Sequence, residues 1–203
     1  MSRGLFIVLE GIDGSGTTTQ CARLKAAMEA KGRRVLMTFE PTDRILGEHI
    51  RAGLRAQLDD PIDPATMALL FAADRLDHIT HVIAPALESG VDVICDRYVA
   101  SSLAYQTSTL PLEWVATLNE RALVPDCTVF LRVSPDVALE RIGARQGAHR
   151  DLYENREMLM GVSTRYEELF ADGHVAATVL DSEADIEAVT RELIARVDAL
   201  LAR

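Results

Sequence analysis

The chain is short of positive charge. Its 203 residues carry 21 lysine and arginine side chains against 31 aspartate and glutamate, a net charge of −10 with histidine neutral. A nucleic-acid polymer needs a basic face to meet its phosphates, so no such polymer is expected as a partner. A small nucleotide held by a few local arginines remains compatible with this balance. Cysteine is scarce too: Cys21, Cys95 and Cys127 are far apart and form no C-x-x-C pair. That spacing excludes a disulfide framework and predicts free, mostly buried thiols in a reducing cytoplasm. No apolar stretch approaches a membrane span, so no membrane partner is expected. The first apolar run stops at Glu10, too short for a signal-peptide core with its cleavage site. Repeats and low-complexity tracts are lacking. At this length the expectation is a single domain over residues 1–203 with a short lid.

What is present is concentrated near the start. Residues 5–9 form an apolar, partly β-branched run that predicts a buried strand. Gly11, Gly14 and Gly16 follow, and a threonine run then opens a helical pattern through Leu24 and Met28. Strand, glycine loop and helix start form the context of a phosphate-binding loop. Glycines let the backbone turn N–H groups around an anion, and the helix N-terminus adds partial positive charge. The pattern G-x-x-x-x-G-K-[ST] is met at Gly11, Gly16 and Thr18, but Thr17 stands where the lysine belongs. The other reading of the stretch is an ordinary turn between strand and helix.

Further along, apolar runs predict strands at residues 34–39, 91–95, 128–133 and 175–180. Helical spacing is read at 44–58, 65–89, 101–106, 113–122, 135–145, 152–171 and 183–201. Asp63 followed by Pro64 is a cap signal for the third helix. Strands alternating with helices predict an α/β fold, a parallel five-stranded sheet with helices on both faces. Ligands in such sheets sit outside the C-terminal strand ends, where Glu10, Glu40, Asp96 and Ser134 fall.

Asp96 is placed to hold magnesium together with Thr18, or else to cap the helix that follows. Phe71 and Arg75 are four apart and share a helix face, as a base-binding pair or as a core phenylalanine beside a surface Arg–Asp pair. Arg141, Arg145 and Arg150 flank Gly143 and Gly147. They form either a solvated basic face or a lid, about residues 143–153, that closes over phosphates. His78 and His81 lack a third ligand in the sequence and are set aside as metal ligands.

Taken together these motifs resemble the thymidylate kinases, P-loop nucleoside monophosphate kinases, over essentially the whole chain. The likeness rests on Glu10-Gly11-Ile12-Asp13-Gly14-Ser15-Gly16, Glu40-Pro41-Thr42, Phe71-Ala72-Ala73-Asp74-Arg75, Asp96-Arg97-Tyr98, Ser101-Ser102-Leu103-Ala104-Tyr105-Gln106 and Arg150-Asp151-Leu152-Tyr153-Glu154. It implies phosphoryl transfer from ATP to dTMP, with Mg²⁺, in a homodimer. It also implies ATP binding by Gly11, Ile12, Asp13, Gly14, Ser15, Gly16, Thr17, Thr18 and Thr19, with Arg141. Phe71 would stack on thymine, Arg75 would meet its edge, and Ser102 and Gln106 would line the base pocket. Phe39 stands where many members carry arginine, Tyr153 would close over the pocket, and Tyr105 would crowd the sugar 2′ position. Asp13 would meet the sugar or its phosphate, and Arg97 would grip that phosphate. Asp96, Arg97, Arg145 and Arg150 would be the catalytic set. Two other readings are a kinase with another (deoxy)nucleotide or nucleoside acceptor, and a non-catalytic nucleotide binder that lost turnover with its lysine.

The missing lysine yields the first prediction. Backbone N–H groups do most of the cradling, and lid arginines can supply mobile charge worth about 10³–10⁵ in kcat in P-loop enzymes. Thr17→Lys is therefore expected to leave steady-state turnover similar or modestly higher. An inactive wild type rescued by orders of magnitude would show that the lid does not compensate.

Overall fold

The central strand owes its place to composition: all five of its residues are buried, as a parallel strand covered on both faces requires. The computed structural model describes residues 3–55, 57–146 and 152–202, the side chains of residues 145, 146 and 152–155 excepted. This strand, β1 (Phe6–Glu10), is flanked by β3 (Asp92–Asp96) and β4 (Cys127–Arg132), with β2 (Val35–Phe39) and β5 (Thr178–Asp181) outside them. The order is β2-β3-β1-β4-β5 and every neighbouring pair is parallel, so the predicted sheet is the observed one.

Helices supply the crossovers: α1 (Thr17–Ala30), α2 (Ile45–Leu54), α3 (Pro64–His78), α4 (Ala84–Glu88), α5 (Val99–Gln106), α6 (Leu112–Leu118), α7 (Pro135–Gln146), α8 (Leu152–Ala171) and α9 (Ile186–Leu201). Side chains alternate across a strand, and β1 divides accordingly. Ile7 and Leu9 pack with Leu24 and Met28 of α1 and Leu193 and Val197 of α9. Phe6 and Val8 pack on the opposite side with Ile83, Leu87 and Tyr98. Beyond them Phe130 of β4 meets Leu103 of α5 and Leu159, Val162 and Tyr166 of α8.

Several boundaries differ from the sequence reading. The long helix expected over 65–89 is broken by a π-helical turn, Ile79–Ile83, between α3 and α4. Pro85 has no N–H to give to a carbonyl four residues back, and the widened turn lies directly before its helix. The helix expected at 44–58 ends at Leu54, with the poor helix former Gly53 in its last turn. The last strand starts at Thr178 because Val175 and Ala177 turn aside to pack against the α8 side of the core. The closing helix begins at Ile186, where Asp185 accepts from the N–H groups of Glu187 and Ala188, and Glu183 instead accepts from Ser134 N. The helix read at 113–122 stops at Leu118, with Asn119 at its C-cap and the Asn119 amide bonded back to Val115 O. Asp63 caps α3 as expected, accepting from Ala65 N and Thr66 N.

Candidate functional site

β1 runs out at Glu10, and the next six residues turn the chain into α1. Gly14 and Gly16 hold φ at 82° and 92°, a region side-chain-bearing residues rarely adopt, and a Cβ on Gly14 would also strike the Ala138 carbonyl of α7. Ser15 N donates to Ile12 O at 3.0 Å and closes the turn. The first N–H groups of a helix meet no carbonyl within it, so those of α1 carry donors and partial positive charge to the loop. Thr17 is the first residue of α1 and is buried.

On one side of this loop lies a cavity of about 430 Å³, lined by residues that include Gly16, Thr19, Gln20, Arg141, Ser182 and Ile186. Arg141 of α7 donates to Ser182 O at 2.7 Å and to Gly14 O at 3.4 Å, and the Ser182 hydroxyl donates to Ser15 O. Gln20, Ser182 and Ile186 escaped the sequence reading, because no motif marks the loop after β5.

On the other side stands the end of β3. The Thr18 hydroxyl donates to Asp96 Oδ2 at 2.5 Å, and Asp96 Oδ1 is buried with no partner among the described residues. A hydroxyl and a carboxylate with an open acceptor are hard oxygen donors, a set that fits Mg²⁺. Asp96 does not cap α5, whose N-cap residue is Tyr98. That work falls to Glu10, which accepts from Tyr98 N at 2.9 Å and Ser101 N at 3.3 Å. Glu10 also accepts from the Ser101 hydroxyl at 2.7 Å and from the Tyr166 hydroxyl of α8 at 3.0 Å. Burial raises its pKa, against the pull of the Ser101 hydroxyl, the Arg97 guanidinium and the Tyr166 hydroxyl. Neither Glu10 nor Tyr166 was singled out as a site residue; the fold joins them across 156 positions.

Arg97 is the one non-glycine among the described residues with a positive φ, 70°. Such a backbone is strained, and it persists where its surroundings over-determine it. Arg97 N donates to Leu9 O at 2.9 Å. Its guanidinium donates to Gly11 O at 2.6 Å, to Asp13 Oδ1 at 2.8 Å and to Tyr105 Oη at 3.4 Å, and lies 5.4 Å from the Tyr105 ring centre. Arg97, Asp13 and Tyr105 are thereby brought together beside the loop.

Arg75 is buried rather than part of a surface pair. It donates through Nε to Glu40 at 2.9 Å, through Nη2 to Tyr98 O and Ser102 Oγ, each at 3.0 Å, and through Nη1 to Asn119 Oδ1. Asp74 is also inward, accepting from Thr42 N and the Thr42 hydroxyl. Phe71 lies one turn before Arg75 on α3 and is half-buried. Gln106, one turn after Ser102 on α5, has a buried Oε1 with no partner among the described residues. Phe39 ends β2, in register with Asp96, and is 40 % exposed. Arg150, and the side chains of Arg145 and Tyr153, lie outside the described residues. The fold supplies His78 with the neighbours that its sequence position lacked: Glu40, His78 and Cys95 bring ligand atoms within 4.8 Å of one another. Both Glu40 oxygens and both His78 nitrogens are already hydrogen-bonded, so the group is satisfied without an ion.

A family model described as thymidylate kinase matches residues 9–193. A probable thymidylate kinase of Pyrococcus abyssi is 41 % identical over 199 residues, covering 96 % of each chain. The thymidylate kinase of Bifidobacterium longum subsp. infantis is 38 % identical, over 98 % of this chain and 93 % of its own. A probable thymidylate kinase of Methanosarcina barkeri is 35 % identical over 99 % of each.

The raised Glu10 pKa has a measurable consequence. The folded state holds this proton more tightly than the unfolded chain, so stability falls as pH rises from about 4.5 through the raised pKa. Glu10→Gln cannot ionise. Its Tm relative to wild type is expected to climb across that window and to level off above it. A difference that falls, or does not change, overturns this assignment.

Proposed function

The chain belongs to the thymidylate kinase family, and we propose on that premise that it transfers the γ-phosphoryl group of ATP to a phosphate oxygen of dTMP, giving dTDP and ADP. It is a kinase, and its chemistry is positioning and charge neutralisation more than covalent catalysis. The observation that carries the residue assignment is the place of Arg97. It bonds to the loop through Gly11 O at 2.6 Å and reaches Ser101 Oγ at 3.5 Å and Tyr105 Oη at 3.4 Å, joining the loop to α5.

On the donor side the loop from Gly11 to Thr19 cradles the triphosphate, and the cavity beside Arg141 takes the nucleoside. Thr18 and Asp96 would hold Mg²⁺, which when bound neutralises phosphate charge. On the acceptor side Arg97 binds the dTMP phosphate and Asp13 the sugar or the phosphate surroundings, with Tyr105 filling the 2′ position. Phe71 stacks on the base, Phe39 belongs to the same substrate set, and Tyr153 would close over the base pocket. Among the described residues Arg75 has one Nη1 hydrogen without an acceptor, and Gln106 has an unpaired Oε1. One donor and one acceptor complement thymine, whose O4 accepts and whose N3–H donates. Arg145 and Arg150 of the lid supply the positive charge that Thr17 does not. Exposed Leu69 and Leu76, seven apart on α3, support a homodimer through that face. The free thiols of Cys21, Cys95 and Cys127 support a cytoplasmic setting. No described helix is long and apolar enough to cross a membrane.

The test is coupled ADP release with dTMP, dUMP, UMP, CMP and thymidine as acceptors. The highest kcat/KM is expected for dTMP, with UMP rejected at Tyr105 and thymidine failing for want of a phosphate at Arg97. Equal kcat/KM for UMP or thymidine would overturn the assignment. In the same assay Asp96→Asn is expected to lower kcat about a hundredfold, as loss of a charge aimed at the transition state does. Unchanged turnover in a folded variant would remove Asp96 from the reaction.

A further inference from the structure

His78 lies three residues beyond Arg75 on α3, and the function proposed above makes no use of it. It is buried, and both ring nitrogens are engaged. Nδ1 is 3.0 Å from Glu40 Oε1, and Nε2 is 2.7 Å from the Thr38 hydroxyl of β2. A carboxylate only accepts, so Nδ1 donates to Glu40, and Nε2 shares a hydrogen bond with the Thr38 hydroxyl. The other Glu40 oxygen, Oε2, takes both contacts from Arg75, 2.9 Å from Nε and 2.8 Å from Nη2. The π turn begins on the residue after His78, so the helix keeps its regular phase through Arg75 and His78 and changes it directly afterwards.

An unrestrained carboxylate facing a guanidinium favours a fork in which two oxygens take two parallel N–H bonds. Here His78 holds Oε1 on its own side, and both Arg75 contacts fall on Oε2. Glu40 holds Arg75 through one oxygen, and Nη2, 2.8 Å from that oxygen, directs its hydrogens to Tyr98 O and Ser102 Oγ. The guanidinium plane is thus set by partners directly after β2, at the start of α5 and at the end of α6, and one Nη1 hydrogen has no acceptor among the described residues. We propose that His78 is a positioning residue for acceptor-base recognition: it holds Glu40 Oε1 so that Arg75 keeps the orientation in which its last N–H serves the base. The proposal rests on the reading that Arg75 meets the base. Removing the imidazole would also leave a buried carboxylate oxygen unpaired, a second drive for Glu40 to turn onto Arg75.

Two amide variants separate the ring's two bonds. The amide nitrogen of asparagine falls near the position of Nδ1, so His78→Asn keeps the Glu40 bond and gives up Thr38. Glutamine reaches the position of Nε2, so His78→Gln keeps Thr38 and gives up Glu40. The measurement is steady-state kinetics at saturating ATP with dTMP and dCMP, whose base edges reverse donor and acceptor. His78→Gln is expected to raise KM for dTMP about tenfold and narrow the dTMP/dCMP ratio of kcat/KM about tenfold, the scale of one misplaced charge-assisted bond, with kcat within about threefold. His78→Asn is expected to stay within about threefold of wild type in every parameter, the margin left by a neutral bond. Thr38→Val, which spares the Glu40 bond, is expected to leave the ratio unchanged and serves if His78→Gln does not fold. The proposal is overturned if the two amides behave alike, if His78→Asn is the damaged one, or if Thr38→Val narrows the ratio. Arg75→Lys is the reference. If it leaves the ratio unaltered, the base contact itself is wrong; if it narrows the ratio while His78→Gln does not, only the role of His78 fails.

Discussion

A carboxylate leaves water only where donors wait for it, and Glu10 is taken out of water completely. Its donors come from the first turn of α5 and from Tyr166 of α8. One side chain therefore locates the end of the central strand, the start of α5 and the helix α8. Glu40 repeats the device one strand pair away, with Arg75 and His78 of α3 as its donors. The halves of the site are hung from two strand-end carboxylates, and the distance between those strand ends is set by β3, which pairs with both.

This arrangement explains what could be read in the sequence. The parallel sheet, the glycine loop and the strand-end positions follow from patterns confined to a few neighbouring residues: the run before Glu10, the glycines 11, 14 and 16, the cap at Asp63. The partners of Arg75 do not. Asn119 lies 44 positions away and Ser102 27, and nothing near either residue announces the contact. The capping of α5 by Glu10 rather than Asp96 was equally hidden, since both carboxylates end apolar strands and differ only in what packs above them. The π turn escaped because apolar spacing over 65–89 looks the same whether one turn holds an extra residue or not. Strand limits drifted where an apolar residue such as Val175 had two surfaces to choose from.

The described arginines of the site are not free side chains awaiting a ligand. Arg75, Arg97 and Arg141 each donate to backbone carbonyls, and Arg75 and Arg97 to carboxylates as well. Charge fixed in this way needs little reorganisation when a phosphate arrives, which is where preorganised sites gain their advantage. Thr17 is consistent with that economy: the loop gives up one mobile cation while neighbouring elements hold several fixed ones.

The strand order has a consequence for how the molecule is made. Phe6 pairs with Val93 and Ile7 with Cys127, and Phe6 N donates to Asp126, 120 positions further on. Parallel strands cannot be joined by a tight hairpin, so β1 has no local partner. During synthesis from the N-terminus it emerges first, yet its two edges stay open until β3 and then β4 have left the ribosome. Closing such long loops is slow, and until then an apolar strand stays uncovered. The glycine loop, written in the first twenty residues, gains both neighbours of its anchoring strand only once the chain has been made as far as Arg132.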